Sequence, residues 1–474
     1  MKNAHPAEQL VAVMNRIYGG KLTTTSGGNL SVIDENGDIW ITPSGVDKGA
    51  LTPEDIIRVT PGGEIIGRHK PSIELPFHAS VYKKRGARDA AAGAEQGIAP
   101  RGEGGRIPHC KNIRAILHAH PPKMCAFSVL RRLPMPNLTV SSREIFEKIA
   151  VAPYAIPGSA ELGEIISDKF AEGAENKKAE IVVLENHGVV VAGEDLFDCF
   201  MRFEALEGAA ELEILASKIG KISPLRDADF EKSKIVDVGD RNDFSAAEKS
   251  TDGSPEEAAI RREIIALTRR ACKQGLFAST HGTFSAKLPC GGFIITPSEL
   301  DRAYLTEGDL IKMRAKRALD AEDICRSRRI PSKPEAVSRS IKMPADATGL
   351  HAEIYKKHPE IRSIITAEPP HAMAFAITDA TFDPRTIPES YIFLRNIKKV
   401  DSSAATAELS ARTPVLICKN HQILATGTSP LHAFDRLEVC EATANSIIAA
   451  KGMGEIFHIS DEEIKELDKA FNLK

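Results

Sequence analysis

The sequence predicts an α/β protein whose fold is written twice along one chain. Two observations carry this. Short alternating or β-branched runs bounded by Gly, Pro and Asn turns are interleaved with helical stripes. After a polar stretch the same series of elements returns in the same order with related local sequence. At 474 residues the chain is too long for one ordinary core, which agrees with two domains.

An amphipathic helix with Leu10, Val13, Met14 and Ile17 on one face ends at Gly19-Gly20. A glycine turn then leads from Thr24 into a strand ending at Ile33, and Asn36-Gly37 turns it into a hairpin partner running from Asp38 to Gly45. Both glycine turns present backbone N–H groups beside small polar side chains, the equipment of an anion nest. Lys70-Pro-Ser-Ile-Glu leads into a helix carrying Phe77 and Val81, with Glu74 near its start, where a carboxylate is ordinarily only a dipole or capping residue. The Gly-, Ala- and Arg-rich stretch 86–105 reads as a flexible insertion.

Ile113-Arg-Ala-Ile-Leu-His-Ala-His-Pro-Pro122 is an alternating strand stopped by two prolines. Residues two apart on a strand share a face with Cα atoms about 6.6 Å apart, so His118 and His120 can converge on one ion. By itself a His-x-His is more often two polar residues at a strand end. A helix over 123–130, a strand over 150–156 and a capped helix over 159–171 follow, then two β-branched runs pinched at Asn186-His187-Gly188 and a long helix over 196–219. A histidine in so apolar a run must find a partner.

The repeat decides between these readings. Residues 221–254 read as a linker between a first copy, 1–220, and a second, 255–474, which carries a charged insertion over 314–339. Leu350-His-Ala-Glu-Ile-Tyr-Lys-Lys357 answers Phe77-His-Ala-Ser-Val-Tyr-Lys-Lys84, and Cys418-Lys-Asn-His421 answers Leu184-Glu-Asn-His187. In the second copy His118 and His120 become Thr366 and Glu368, Glu74 becomes Ala347, Asn29 becomes Thr283 and Gly45 becomes Glu299, while His187 keeps a counterpart in His421. Scaffold residues stay and the polar set changes together, so His118, His120, His187 and Glu74 act as a unit in the first copy.

Net charge is −3, with no electrostatic footprint for nucleic acid or an anionic membrane. No apolar signal core opens the chain and no run of about 18 apolar residues occurs, which predicts a cytoplasmic protein. The eight cysteines lack a Cys-x-x-Cys pair and read as reduced core thiols.

At these motifs the chain resembles the class II aldolase/adducin family: a Gly-Asn-Leu-Ser loop, Ile-Thr-Pro-Ser-Gly, Pro-Ser-x-Glu, His-Ala-His-Pro and Asn-His-Gly. The resemblance covers roughly 5–220 and, more weakly, 255–460. It implies an α/β/α layered fold with a central, mostly antiparallel sheet, duplicated in tandem. It implies Zn²⁺ or another divalent ion on His118, His120 and His187, Glu74 as acid/base, and a substrate phosphate on Asn29, Ser44, Gly45 and Ser72. The implied activity is an aldehyde-lyase acting on a small sugar phosphate through an enediolate. The alternatives are a sugar-phosphate epimerase or dehydratase on the same site, or a non-catalytic adducin-like assembly module. Epimerases resembling the family tend to carry Asp where Glu74 stands. A homo-oligomer, a dimer of two-domain chains, is also implied. The sequence departs from the family at Ile73, where aldolases carry a second serine, and near Thr139, where a proton-donating tyrosine would fall.

Overall fold

The computed structural model describes residues 4–84, 113–146, 149–171, 173–174, 177–231, 244–246, 254–289, 291–315 and 347–473. The insertion read at 86–105, most of the charged stretch 314–339, and Cys110, Cys290 and Cys325 lie outside the described residues. Contacts divide the chain into two units, Met1–Pro136 with Ser141–Glu211 and Asn137–Val140 with Leu212–Lys474.

In the first unit, helix α1 (Pro6–Gly19) buries Ala7, Leu10, Val13, Met14 and Ile17, the face expected from their spacing. His5 caps it, accepting from the Ala7 amide, and Pro6 stands at its first turn where no N–H is needed. Strands β1 (Asn29–Ile33) and β2 (Ile39–Ile41) form the hairpin, its turn closed by Asp34 Oδ1 accepting from the amides of Asn36 and Asp38. Strands β3 (Ile57–Val59) and β4 (Ile65–Ile66) extend it, and a helix, α2, spans 75–84.

Then come β5 (Ala115–Ala119), α3 (Pro122–Val129), β6 (Ile149–Ala152), α4 (Ala160–Ala171), β7 (Ile181–Leu184), β8 (Val189–Gly193) and α5 (Leu196–Ala216). The eight strands run in the order β4-β3-β2-β1-β5-β8-β7-β6, and every ladder is antiparallel except β6 on β7. Strand β6 is shorter than the apolar run over 150–156, because Pro153 cannot donate to the ladder and the chain leaves the sheet there.

Strand β5 is central and wholly buried. Its even residues face one layer, where Ile116 packs with Phe77, Val81 and Tyr82 of α2 and with Leu162, Ile166 and Phe170 of α4. Ser159 caps α4, accepting from the Leu162 amide at 3.1 Å. Phe170 is 1% exposed, and its truncation to Ala costs about 3–5 kcal/mol. Helix α1 lies against β1 and β2, and its Arg16 guanidinium stacks over Phe200 of α5 on the other layer.

The second unit repeats the plan. Its strands are β9 (Phe244–Ala246), β10 (Thr283–Lys287), β11 (Phe293–Ile295), β12 (Ile311–Ala315), β13 (Ser363–Ala367), β14 (Lys398–Val400), β15 (Val415–Cys418) and β16 (Gln422–Gly427). They run β9-β12-β11-β10-β13-β16-β15-β14: the last seven match β3-β2-β1-β5-β8-β7-β6, with the same single parallel pair at the end, while edge strand β9 precedes the rest in the chain where β4 follows β3. Register agrees too: Thr283 of β10 faces Thr366 of β13 as Asn29 of β1 faces His118 of β5. Edge strand β9 comes from the stretch read as a linker, pairing Phe244 with Ala315. A polar stretch finds its strand partner only through this distant ladder, which local sequence does not announce. Among the described residues no helix is long and apolar enough to cross a membrane. The described cysteines, Cys125, Cys199, Cys272, Cys418 and Cys440, form no disulfide.

Candidate active site

Three backbone features bring three imidazoles together. His118, 0% exposed, projects from the end of β5 between Asn29 of β1 and Val190 of β8. Its Nδ1 donates to the Val189 carbonyl at 3.0 Å, which leaves Nε2 bare toward the centre. His120 follows where Pro121-Pro122 end the strand, its Nε2 3.1 Å from His118 Nε2. His187 comes from the β7–β8 turn, in which Asn186 takes the left-handed conformation (φ 56°) and the Leu184 amide donates to Gly188 O at 2.8 Å. One ligand atom from each ring lies within 4.8 Å of the others. Gly188 permits the approach, since a Cβ there would stand 2.6 Å from Ala119 O and 2.7 Å from His120 Cδ2.

Burial holds all three rings neutral at neutral pH. It pushes His118 down to about 3, with His120 adding to the effect, and His187 down to about 4, with His118 adding and Glu74 opposing. Burial also lowers His120, against the pull of Glu74. Neutral imidazoles are the metal-binding form, and two bare nitrogens at 3.1 Å repel unless a cation or a proton lies between them. Glu74 Oε1 and His187 Nδ1 are buried and make no hydrogen bond, so the centre has polar atoms to spare for an ion and a substrate. The donor set fits a divalent cation with one position open.

Glu74, 6% exposed, precedes α2 and turns into this centre rather than capping the helix. Its Oε2 accepts from Asn29 Nδ2 at 2.7 Å and lies 3.3 Å from His118 Nε2, while Oε1 lies 3.8 Å from His187 Nε2. Ser72 fixes this turn, its Oγ accepting from the Glu74 amide at 3.3 Å and its carbonyl from the Leu75 amide at 3.0 Å.

The remaining expected residues divide. Ser44 and Ser72 lie on paired segments, with the Ser44 amide donating to Lys70 O at 2.9 Å and the Ser72 amide to Thr42 O at 3.2 Å. Gly45, at φ +70°, has nothing within 4 Å of where a Cβ would stand, and Glu299 keeps the same left-handed backbone at φ 58° in the second unit. The Asn29 amide bridges Glu74 and His78, leaving one N–H for another partner. Ile73 is 68% exposed, and Thr139 is buried within the second unit.

Thr366, Glu368 and His421 of the second unit form no such group; among the described residues His118, His120 and His187 are the one metal-type cluster. Ser402 Oγ bonds His421 Nδ1 at 2.7 Å, and Gln422 stands where Gly188 leaves room.

Sequence reasoning missed His78, Ser31 and Tyr82, which are buried behind Glu74 and hydrogen-bonded in series. The signal was there: Ser285, His351 and Tyr355 keep all three in the second copy, and attention to differences passed over what both copies retain.

Comparison with known proteins gives the family. The Class II Aldolase and Adducin N-terminal domain matches residues 8–94, 105–214 and 262–448. The chain is 28% identical over 211 residues to an L-fuculose phosphate aldolase of Methanococcus maripaludis, covering 44% of this chain and 97% of that one. It is 31% identical over 209 residues to a 3-oxo-tetronate 4-phosphate decarboxylase of Haemophilus influenzae, covering 43% and 85%. Among solved structures, YgbL from Klebsiella pneumoniae is 25% identical with a TM-score of 0.37, covering 48% and 96%. With three matched segments spanning most of its length, and a sheet plan that appears twice, this chain belongs to the class II aldolase and adducin family.

Proposed function

We propose that the protein is a metal-dependent aldehyde-lyase that cleaves a small sugar phosphate to dihydroxyacetone phosphate and an aldehyde. The observation that carries this reading is Glu74: a buried carboxylate with one oxygen held by Asn29 and the other unbonded, facing three neutral imidazoles. His118, His120 and His187 hold a divalent cation, Zn²⁺ being the ion best matched to three imidazoles with an open position. Such an ion supplies Lewis acidity toward a carbonyl oxygen. In cleavage, the hydroxyl on the carbon that becomes the aldehyde gives up its proton to solvent as the bond from that carbon to the one beside the carbonyl breaks, and the carbon left as the enediolate takes a proton from Glu74. In the reverse direction and in exchange Glu74 Oε1 removes that proton. Ser44, Gly45 and Ser72 hold the phosphate, with the spare N–H of Asn29. The chain assembles as a dimer of two-domain subunits, for which light scattering at micromolar concentration should give twice the chain mass, and a monomer mass would contradict it.

The Haemophilus influenzae relative favours a second reading, decarboxylation of a 3-oxo acid phosphate. Losing CO2 from 3-oxo-tetronate 4-phosphate leaves the same three-carbon enediolate that aldol cleavage leaves, and the same carbon takes a proton from Glu74. The two reactions therefore share dihydroxyacetone phosphate and differ in the other product. Incubating the metal-loaded protein with phosphorylated ketoses and with 3-oxo-tetronate 4-phosphate separates them. Dihydroxyacetone phosphate with an aldehyde supports the lyase; CO2 from the oxo acid alone makes the protein a decarboxylase. A ketose altered without cleavage indicates epimerase or dehydratase chemistry, and no turnover on any of them favours an adducin-like assembly role.

A further inference from the structure

The buried polar groups behind Glu74 form a chain whose donors all point one way. Asn29 Nδ2 donates to Glu74 Oε2 at 2.7 Å, which turns Asn29 Oδ1 toward His78 Nε2, 2.5 Å away. An amide oxygen only accepts, so His78 carries its proton on Nε2. His78 is 0% exposed, and burial, with His118 near it, holds its pKa well below the ordinary value, so the ring is neutral and Nδ1 is bare. Ser31 Oγ, 2.6 Å from that Nδ1, must donate to it. With its proton so used, Ser31 accepts from the Tyr82 hydroxyl at 2.8 Å, and burial raises the Tyr82 pKa so that the phenol keeps its proton.

We propose that His78 is a positioning residue for the base: locked as the Nε2–H tautomer by Ser31 and Tyr82, it fixes the Asn29 amide so that Glu74 Oε2 is committed as an acceptor and Oε1 is the oxygen that takes the substrate proton. This rests on Glu74 being the base. Without the ring N–H, nothing anchors Asn29 Oδ1, the amide is free to turn away, and Glu74 loses the fixed donor that holds it off the metal ligands.

The second unit supplies an internal control. Ser285 Oγ and His351 Nδ1 are 2.7 Å apart, as are Ser285 Oγ and Tyr355 Oη, and His351 Nε2 lies 3.2 Å from Thr283 Oγ1. There the chain ends on the Thr366 hydroxyl and no carboxylate follows. The outer Tyr-Ser-His part thus ties helix to sheet in both units, whereas an amide ending on a carboxylate belongs to the first unit alone.

The test uses the full-length zinc-loaded protein with ¹⁵N-labelled histidine, and deuterium exchange into dihydroxyacetone phosphate as the rate assay. The His78 resonances, assigned by their loss in His78→Gln, should show a protonated Nε2 and a bare Nδ1. His78→Phe should lower kcat for exchange by about 10–100-fold with KM changed less than about twofold. His78→Gln, whose amide accepts from Ser31 and donates to Asn29, should restore most of it. His351→Phe should leave kcat unchanged. If His78→Phe does not fold, Ser31→Ala, which removes the donor to Nδ1, should lower kcat several-fold at unchanged KM. A proton on Nδ1, full kcat in the folded His78→Phe or Ser31→Ala protein, or an equal loss in His351→Phe overturns the assignment of His78. Exchange that survives Glu74→Gln overturns the base reading and this assignment with it.

Discussion

Gly188 and His120 occupy space that no side chain at 188 can share: a Cβ there would lie 2.7 Å from His120 Cδ2 and 3.4 Å from His118 Cε1. The second unit, with Gln422 at the matching position, has Glu368 rather than an imidazole opposite it. The Cβ at 188 would also lie 2.6 Å from Ala119 O, so Gly188→Ala should displace the His120 ring and shift the end of β5 locally. The expected result is metal affinity at least about 10-fold weaker, with a circular dichroism spectrum like that of the unaltered protein. Unchanged affinity would mean that His120 is not a ligand.

The two units should differ in metal content. Three protein ligands are the usual minimum for a catalytic zinc, and the first unit alone offers them among the described residues. One tightly bound metal per chain is expected by elemental analysis, lost in His118→Ala and in His187→Ala and kept in His421→Ala. Two metals per chain, or inactivation by His421→Ala without unfolding, would reveal a second site of another kind.

Stability should fall in mild acid in part through His351. Burial pushes its pKa down to about 3 from an ordinary 6.5, so the unfolded chain takes up a proton there before the folded protein does. The stability associated with this ring is complete above about pH 6.5 and is lost as pH falls toward 3. At pH 5 the loss amounts to about 2 kcal/mol. Urea unfolding at pH 7 and pH 5 should show a smaller decrease in His351→Gln than in the unaltered protein, and an equal decrease would place the titration elsewhere.

What the sequence disclosed was whatever depends on short-range periodicity and on self-comparison. The two-residue period of β5 was enough to put His118 and His120 on one side, and the second copy singled out that pair and Glu74 by what it had lost, while it kept His187 as His421. Contacts between residues far apart in the chain were illegible. Nothing local says that Asn29, in a glycine loop resembling a phosphate site, turns its amide to Glu74, 45 residues on. His78 looked like an ordinary helix residue because the interactions that hold it come from Ser31 and Asn29 on β1. Strand β9 was hidden in a polar stretch because its partner lies far along the chain, at Phe244↔Ala315.

The central claim is that Glu74 moves a proton beside a metal held by three imidazoles. Glu74→Gln keeps the shape of the side chain and removes its capacity to accept a proton at neutral pH. Exchange of the proton beside the carbonyl of dihydroxyacetone phosphate with deuterated water is the measurement. The unaltered protein should catalyse it, and Glu74→Gln, with its metal still bound, should lose it by about 10²–10⁴-fold. Exchange at the original rate in a metal-loaded Glu74→Gln protein would contradict the account.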